Sequence, residues 1–220
     1  MLYRLSTNCS IAAVAFALAA LSIRAYGEAQ GSLAHWFISS QEGTLQGRTN
    51  YEARIDHQTV FEGSASALLS SKSSNRGASG TLMQQARAEP FKGKRIELSA
   101  YLRSRDVSNV AGLWIRAEDE AGAVLAFNNL QFSDGHTSFV RGNSEWTKAS
   151  LVVDIPSSAA SLYYGVRMEG PGSVWITHVQ FAILGDAHVD SGSGIPTIYN
   201  WATPTSQLLA NPSNLNFDEP

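Results

Sequence analysis

Apolar and polar residues alternate along much of this chain, and no other feature restricts its fold as strongly. Over 94–104, Ile96, Leu98, Ala100 and Leu102 fall on one side, and Arg95, Glu97, Ser99, Tyr101 and Arg103 on the other. Leu113, Ile115 and Ala117 oppose Gly112, Trp114, Arg116 and Glu118. Leu162, Tyr164, Val166 and Met168 oppose Tyr163, Gly165, Arg167 and Glu169. Leu151, Val153 and Ile155 share a side, as do Trp175, Thr177, Val179, Phe181 and Ile183. Successive side chains of a strand point to opposite faces, so a sheet with one wet face requires this period. Turn chemistry separates the runs, at Phe91–Lys94, Asp119–Gly122, Pro156–Ser158 and Gly170–Gly172. Less regular strands are expected at Tyr51–His57, Ser66–Ser71 and Gly80–Ala88, and only Glu28–Ile38 could form a short helix.

About ten short strands with almost no helix predict an all-β sandwich or barrel. Composition agrees: hydrophobic residues make up 44% of the chain and charged residues only 16%. A disordered chain or a helical bundle would be richer in charge. The expected organisation is a leader over 1–25, one β domain over 26–184 and an irregular tail or linker over 185–220. The leader combines Arg4 with an apolar run from Ile11 to Ile23. That run falls short of the roughly 20 residues a membrane span needs. It reads as an export signal cut after Ala25, giving a periplasmic or extracellular product, with an uncleaved anchor as the rival. The single cysteine, Cys9, lies inside the leader, so the mature chain would have no disulfide.

No reaction announces itself. There is no Gly-x-Ser-x-Gly elbow and no zinc-type His or Cys spacing, so no catalytic residue, metal or cofactor is expected. Carboxylates such as Glu97, Glu118, Asp154 and Glu169 could pair for glycoside hydrolysis, but solvated sheet faces carry such residues routinely. A formal net charge of −3 argues against nucleic acid, which demands a basic surface. No basic amphipathic helix suggests membrane binding after leader cleavage. The sharper signal is aromatic. Tyr101, Trp114 and Tyr163 share the polar-face parity with Arg103, Arg116 and Arg167. Rings of this kind stack on the C–H face of a sugar while guanidinium groups bond its hydroxyls. These six are the candidate ligand-binding residues; the alternative is structural packing, with Arg116 paired to Glu118 or Glu169. Trp146 and Trp175 share parity with Val, Phe and Leu and read as packing residues.

Several strings occur in an order that carries a family likeness: 91–104, Val110–Arg116, Leu125–Asn129, Arg141-Gly142 with Trp146, Val152–Pro156, Tyr164–Val166 and Gly172–Phe181. Over about residues 50–184 this order resembles a galactose-binding-like, carbohydrate-binding-module-like jelly roll. Modules of that type are appended to bacterial tail-processing-type peptidases and to some regulator proteins. The resemblance implies a jelly-roll β-sandwich and an exported, non-catalytic module that recognises carbohydrate. A structural or protein-interaction module is the alternative, and an enzyme of the glycoside-active or peptidase-linked kind is third. Where such modules often carry paired Asp residues, this chain has Thr177 and His178, so calcium is not expected. The string Asn214–Glu219 resembles the opening strand of a second such module.

Overall fold

The computed structural model describes residues 33–40, 50–129, 137–188 and 205–218. The leader and Trp201 lie outside them. The strands are β1 (Phe37–Ser40), β2 (Tyr51–Phe61), β3 (Ser64–Ser71), β4 (Ser79–Arg87), β5 (Lys94–Glu118), β6 (Val124–Asn128), β7 (Phe139–Ile155), β8 (Ser161–Glu169) and β9 (Ser173–Asp186). They form one antiparallel sheet in the order β1-β4-β8-β5-β9-β3-β2, with β6 and β7 also on β5. The described residues are all-β apart from two 3-10 turns, Glu89–Phe91 and Thr205–Gln207.

Strand β5 organises the molecule. Its 25 residues far exceed an ordinary strand because two halves of it serve different neighbours. Lys94–Arg105 pairs with β9 and the second half of β7, while Val110–Glu118 pairs with β8 and, at its end, β6. Between the halves the β5–β7 register shifts repeatedly, and Asp106 adopts a φ of 54°. There the sheet curls so that both halves turn their apolar faces to one core. Ile96, Leu98 and Leu102 from the first half, and Leu113 and Ile115 from the second, are fully buried. Leu82, Leu151, Leu162 and Val166 complete that interior. Each such side chain stabilises the fold by about 1.5–3 kcal/mol relative to exposure. The alternation predicted for these strands is therefore the alternation observed.

Three expectations change. The described part of Glu28–Ile38 is no helix: it makes a turn closed by Trp36 N–H to the Leu33 carbonyl, then enters β1. The parity of β9 is not constant. Val174 and Ile176 face the core, then Thr177, Val179 and Phe181 turn inward. The cause is a bulge: β5 advances from Ser99 to Tyr101 while β9 runs from Gln180 to Thr177, and His178 sits at φ 50°. One extra residue reverses every side chain beyond it. Finally, the described residues 205–218 beyond β9 form no strand but are packed on the domain. Phe217 is fully buried, and its ring lies 5.0 Å from that of Trp36, itself edge-on to Tyr164. The buried Gln84 amide donates to the Ser213 carbonyl (2.9 Å) and accepts from the Ser213 N–H (3.0 Å). Leu215 accepts from the Val179 N–H, so this tail is held to β9 as well. No strand forms at Asn214–Asp218, the described part of the expected second-module opening.

Candidate functional site

The six candidate residues separate into two groups, because the two halves of β5 lie in different layers. Trp114, Arg116, Tyr163 and Arg167 occupy the β5–β8 layer. Trp114 is only 8% exposed and Tyr163 only 2%, so neither offers an open stacking face. Arg116 lies 4.6 Å above the Tyr163 ring and pairs with Glu118 at 2.8 Å. Burial pushes the Glu118 carboxyl above its ordinary value, against the opposing pull of Arg116 and of a hydrogen bond from Tyr163. The Trp114 Nε1–H and Arg116 Nε–H are buried without a partner. Arg167 bonds Glu169 (3.3 Å) and the Ser79 hydroxyl (3.1 Å). The Arg116–Glu118 pairing considered from sequence is thus the arrangement found, with Glu118 buried and Arg116 partly exposed.

Tyr101 and Arg103 belong to the other layer, beside a cleft of about 560 Å³. Its walls are Arg103–Asp106 of β5, Asn143–Glu145 of β7, Thr59 of β2 and Trp175 of β9. Arg103 pairs with Trp175 across the strands, which places guanidinium and indole on one face. The Arg103 Nη2 lies 3.4 Å from both carboxylate oxygens of Glu145, whose side chain is 85% exposed. Such an exposed pair is weak and leaves the guanidinium available to another acceptor. Ser104 and Ser144 hydroxyls meet at 2.9 Å, and Asn143 Oδ1 accepts from the Asp106 N–H at 2.8 Å, leaving the Asn143 amide nitrogen as a donor.

An aromatic group that does not line the cleft gathers around Tyr101. Phe61 stacks on Tyr101 with centroids 4.1 Å apart and lies 5.5 Å from Trp146. His178 meets Phe61 edge-on at 5.3 Å, and Trp146 Nε1 donates to the Val60 carbonyl. Tyr101 is therefore covered by Phe61 on one face rather than bare. Sequence parity placed Trp175 and Trp146 with the packing residues; the structure leaves both half-buried on this outer face. The bulge at Thr177–Val179 is what misled the reading of Trp175. The positive φ that marks it, at a histidine, leaves no signature in the sequence.

No protein-family model matches the chain. Over 170 residues it is 32% identical to the uncharacterized HTH-type transcriptional regulator YbfP of Bacillus subtilis (strain 168). The match covers 77% of this chain but only 53% of that regulator, so the chain spans about half the length of its curated relative. Among solved structures, the CBM22-1 xylan-binding domain of Paenibacillus barcinonensis Xyn10C overlaps 74% of this chain and 92% of itself, at 11% identity and a TM-score of 0.47. The C-terminal family 22 carbohydrate-binding module of Clostridium thermocellum Xyn10B overlaps 71% and 91%, at 18% identity and 0.46. The enzymatically active domain of tailspike protein 4 from bacteriophage CBA120 overlaps 70% of this chain and 20% of that one, at 15% identity and 0.47. Overlaps of this depth assign neither a family nor a ligand.

Proposed function

We propose that this chain is an exported, non-catalytic recognition module of jelly-roll type that binds carbohydrate in the cleft beside Trp175. The observation that carries the reading is a half-buried indole flanked by Arg103, Arg105 and the Asn143 amide in an open cleft of about 560 Å³. That volume suits one or two sugar rings, and ligand sites of this kind run from about 300 to 1,000 Å³. The indole supplies an apolar plane for a pyranose C–H face, and the guanidinium and amide groups supply fork-like donors for the hydroxyl rim. Glu145 stands at the rim of the cleft beside Arg103, with its side chain 85% exposed. Export follows the reading of Arg4 and the Ile11–Ile23 run as a leader.

Affinity electrophoresis and calorimetry against soluble xylan, glucan, galactan and polygalacturonate test the proposal. At least one polymer is expected to retard the protein, with retardation lost in Trp175→Ala and in Arg103→Ala while thermal unfolding stays cooperative. Migration unaffected by every polymer, or binding that survives both substitutions, would refute it.

A further inference from the structure

We infer that Asp56, a residue outside the cleft, is the positioning residue that fixes the plane of Trp175 and the arm of β2 that faces it. The inference rests on the carbohydrate reading for its purpose, but its geometry stands alone. Asp56 is only 4% exposed, an unusual place for a carboxylate. Its Oδ2 accepts from the Trp175 Nε1–H at 2.9 Å. Its Oδ1 accepts from the backbone N–H of Gln58 at 2.9 Å and of Thr59 at 3.2 Å. Arg54 Nη2 lies 3.6 Å from Oδ2.

These two oxygens do different work. Oδ1 gathers the arm Gln58–Val60 at the place where β2 and β3 lose register, between Asp56 and Phe61. Ser66 donates to the Thr59 carbonyl at 2.6 Å and holds the same arm from β3. Thr59 reaches the cleft and Phe61 covers Tyr101 in this stretch of shifted register. Oδ2 then fixes the indole by its only polar atom. A half-buried Trp on a strand is otherwise free to turn about its two side-chain torsions, and a stacking platform that turns must be ordered again by each ligand. A charged acceptor makes the stronger kind of hydrogen bond. Asn at this position would keep the shape, yet it has one acceptor oxygen: either the indole or the arm would face an amide donor.

The test follows the Trp175 indole N–H by nitrogen-edited NMR, assigned through Trp175→Phe, in wild type and in Asp56→Asn. The wild-type signal is expected to exchange slowly with solvent, and in Asp56→Asn to shift and exchange at least tenfold faster. Binding to a polymer retained by the wild type is expected to weaken about tenfold in Asp56→Asn and in Trp175→Phe, and no further in the double variant. Losses that simply multiply, or an indole signal unmoved by Asp56→Asn, would overturn the inference. If Asp56→Asn does not fold, wild-type exchange decides: an indole proton that exchanges as fast as a free tryptophan's ends the proposal. If no polymer binds the wild type while the indole behaves as expected, the carbohydrate reading fails and the positioning role of Asp56 stands.

Discussion

Replacing Phe217 with Ala measures whether the segment after β9 belongs to the folded unit. The ring is 0% exposed and packs 5.0 Å from Trp36, which meets Tyr164 edge-on at 5.8 Å; Tyr164 in turn meets Phe181 at 4.8 Å. Truncating a fully buried Phe removes its transfer free energy and leaves a cavity, together about 3–5 kcal/mol. The neighbours here are large rings held by hydrogen bonds of their own, Trp36 by Nε1–H to the Asn214 carbonyl and Tyr164 by its hydroxyl to Gln84, so little collapse into the void is expected. A domain of this size loses about 2–4 °C of Tm per kcal/mol, which predicts a fall of roughly 6–20 °C. The assay is thermal unfolding followed by near-ultraviolet circular dichroism, with Phe37→Ala as the comparison. Phe37 is 39% exposed on the edge strand β1, and its removal is expected to cost under about 1 kcal/mol. A Phe217→Ala midpoint equal to that of Phe37→Ala would show that the tail only rests on the domain, and would refute the reasoning.

Two further tests probe backbone packing and charge. Gly165 lies between Trp114 of β5 and Met83 of β4, and a Cβ there would press into the Leu82 carbonyl and sit 2.9 Å from the Met83 Cα. Because both obstacles are backbone, Gly165→Ala is expected to destabilise by about 1–3 kcal/mol in urea unfolding, and a neutral result would dispute the strand spacing. Asp56 and Glu118 should give opposite pH dependences. Burial raises the Asp56 carboxyl, but the hydrogen bonds from Trp175, Gln58 and Thr59 and the charge of Arg54 outweigh it and hold it below 3.8, so its stabilisation is full above that value and lost as pH falls through its folded pKa. The Glu118 carboxyl is raised above 4.5, so its contribution is full below that value and declines as pH rises through its folded pKa. Urea midpoints taken from pH 4.5 upward should therefore rise more steeply, or fall less, in Glu118→Gln than in wild type, and identical slopes would exclude the buried Arg116–Glu118 pair as their source.

The parts legible in the sequence are those set by period. Strands β4, β5, β7 and β8 place in the core the residues that alternation assigned there, among them Leu82, Leu98, Leu151 and Val166, because a slipped register would expose the whole set. The crossing of β5 between layers was not legible: 94–104 and 111–118 read as two strands, and nothing local says that the chain between them stays extended while changing neighbours. Parity could not say that Tyr101 and Arg103 would be separated from Trp114, Arg116, Tyr163 and Arg167. Nor could it show that Trp114 and Tyr163 would be covered, since covering depends on contacts remote in sequence. Phe217 and Trp36 escaped for the same reason, for they stabilise each other across almost the full length of the chain.

The cleft stands where regular pairing fails on several strands together. Beta-2 loses register with β3 between Asp56 and Phe61, β9 bulges at Thr177–Val179, and β5 and β7 slip between Leu102 and Val107. Asp106, Gly142, His178 and Glu62 adopt positive φ along the same stretches. Left-handed backbone at a non-glycine residue is unfavourable by about 1–3 kcal/mol and persists only where surrounding contacts hold it. Here the holding contacts are visible: Asn143 fixes the Asp106 N–H, Ser104 donates to the Gly142 carbonyl, and Asp56 ties the β2 arm. A continuous sheet face would be flat at this point, with Trp175 and Arg103 one pair among many. The bulges lift the β2 arm on one side and the β5–β7 bend on the other, and thereby turn a flat row of side chains into a walled cleft. The same irregularity that defeated the parity reading of β9 is what gives the proposed ligand a place to sit.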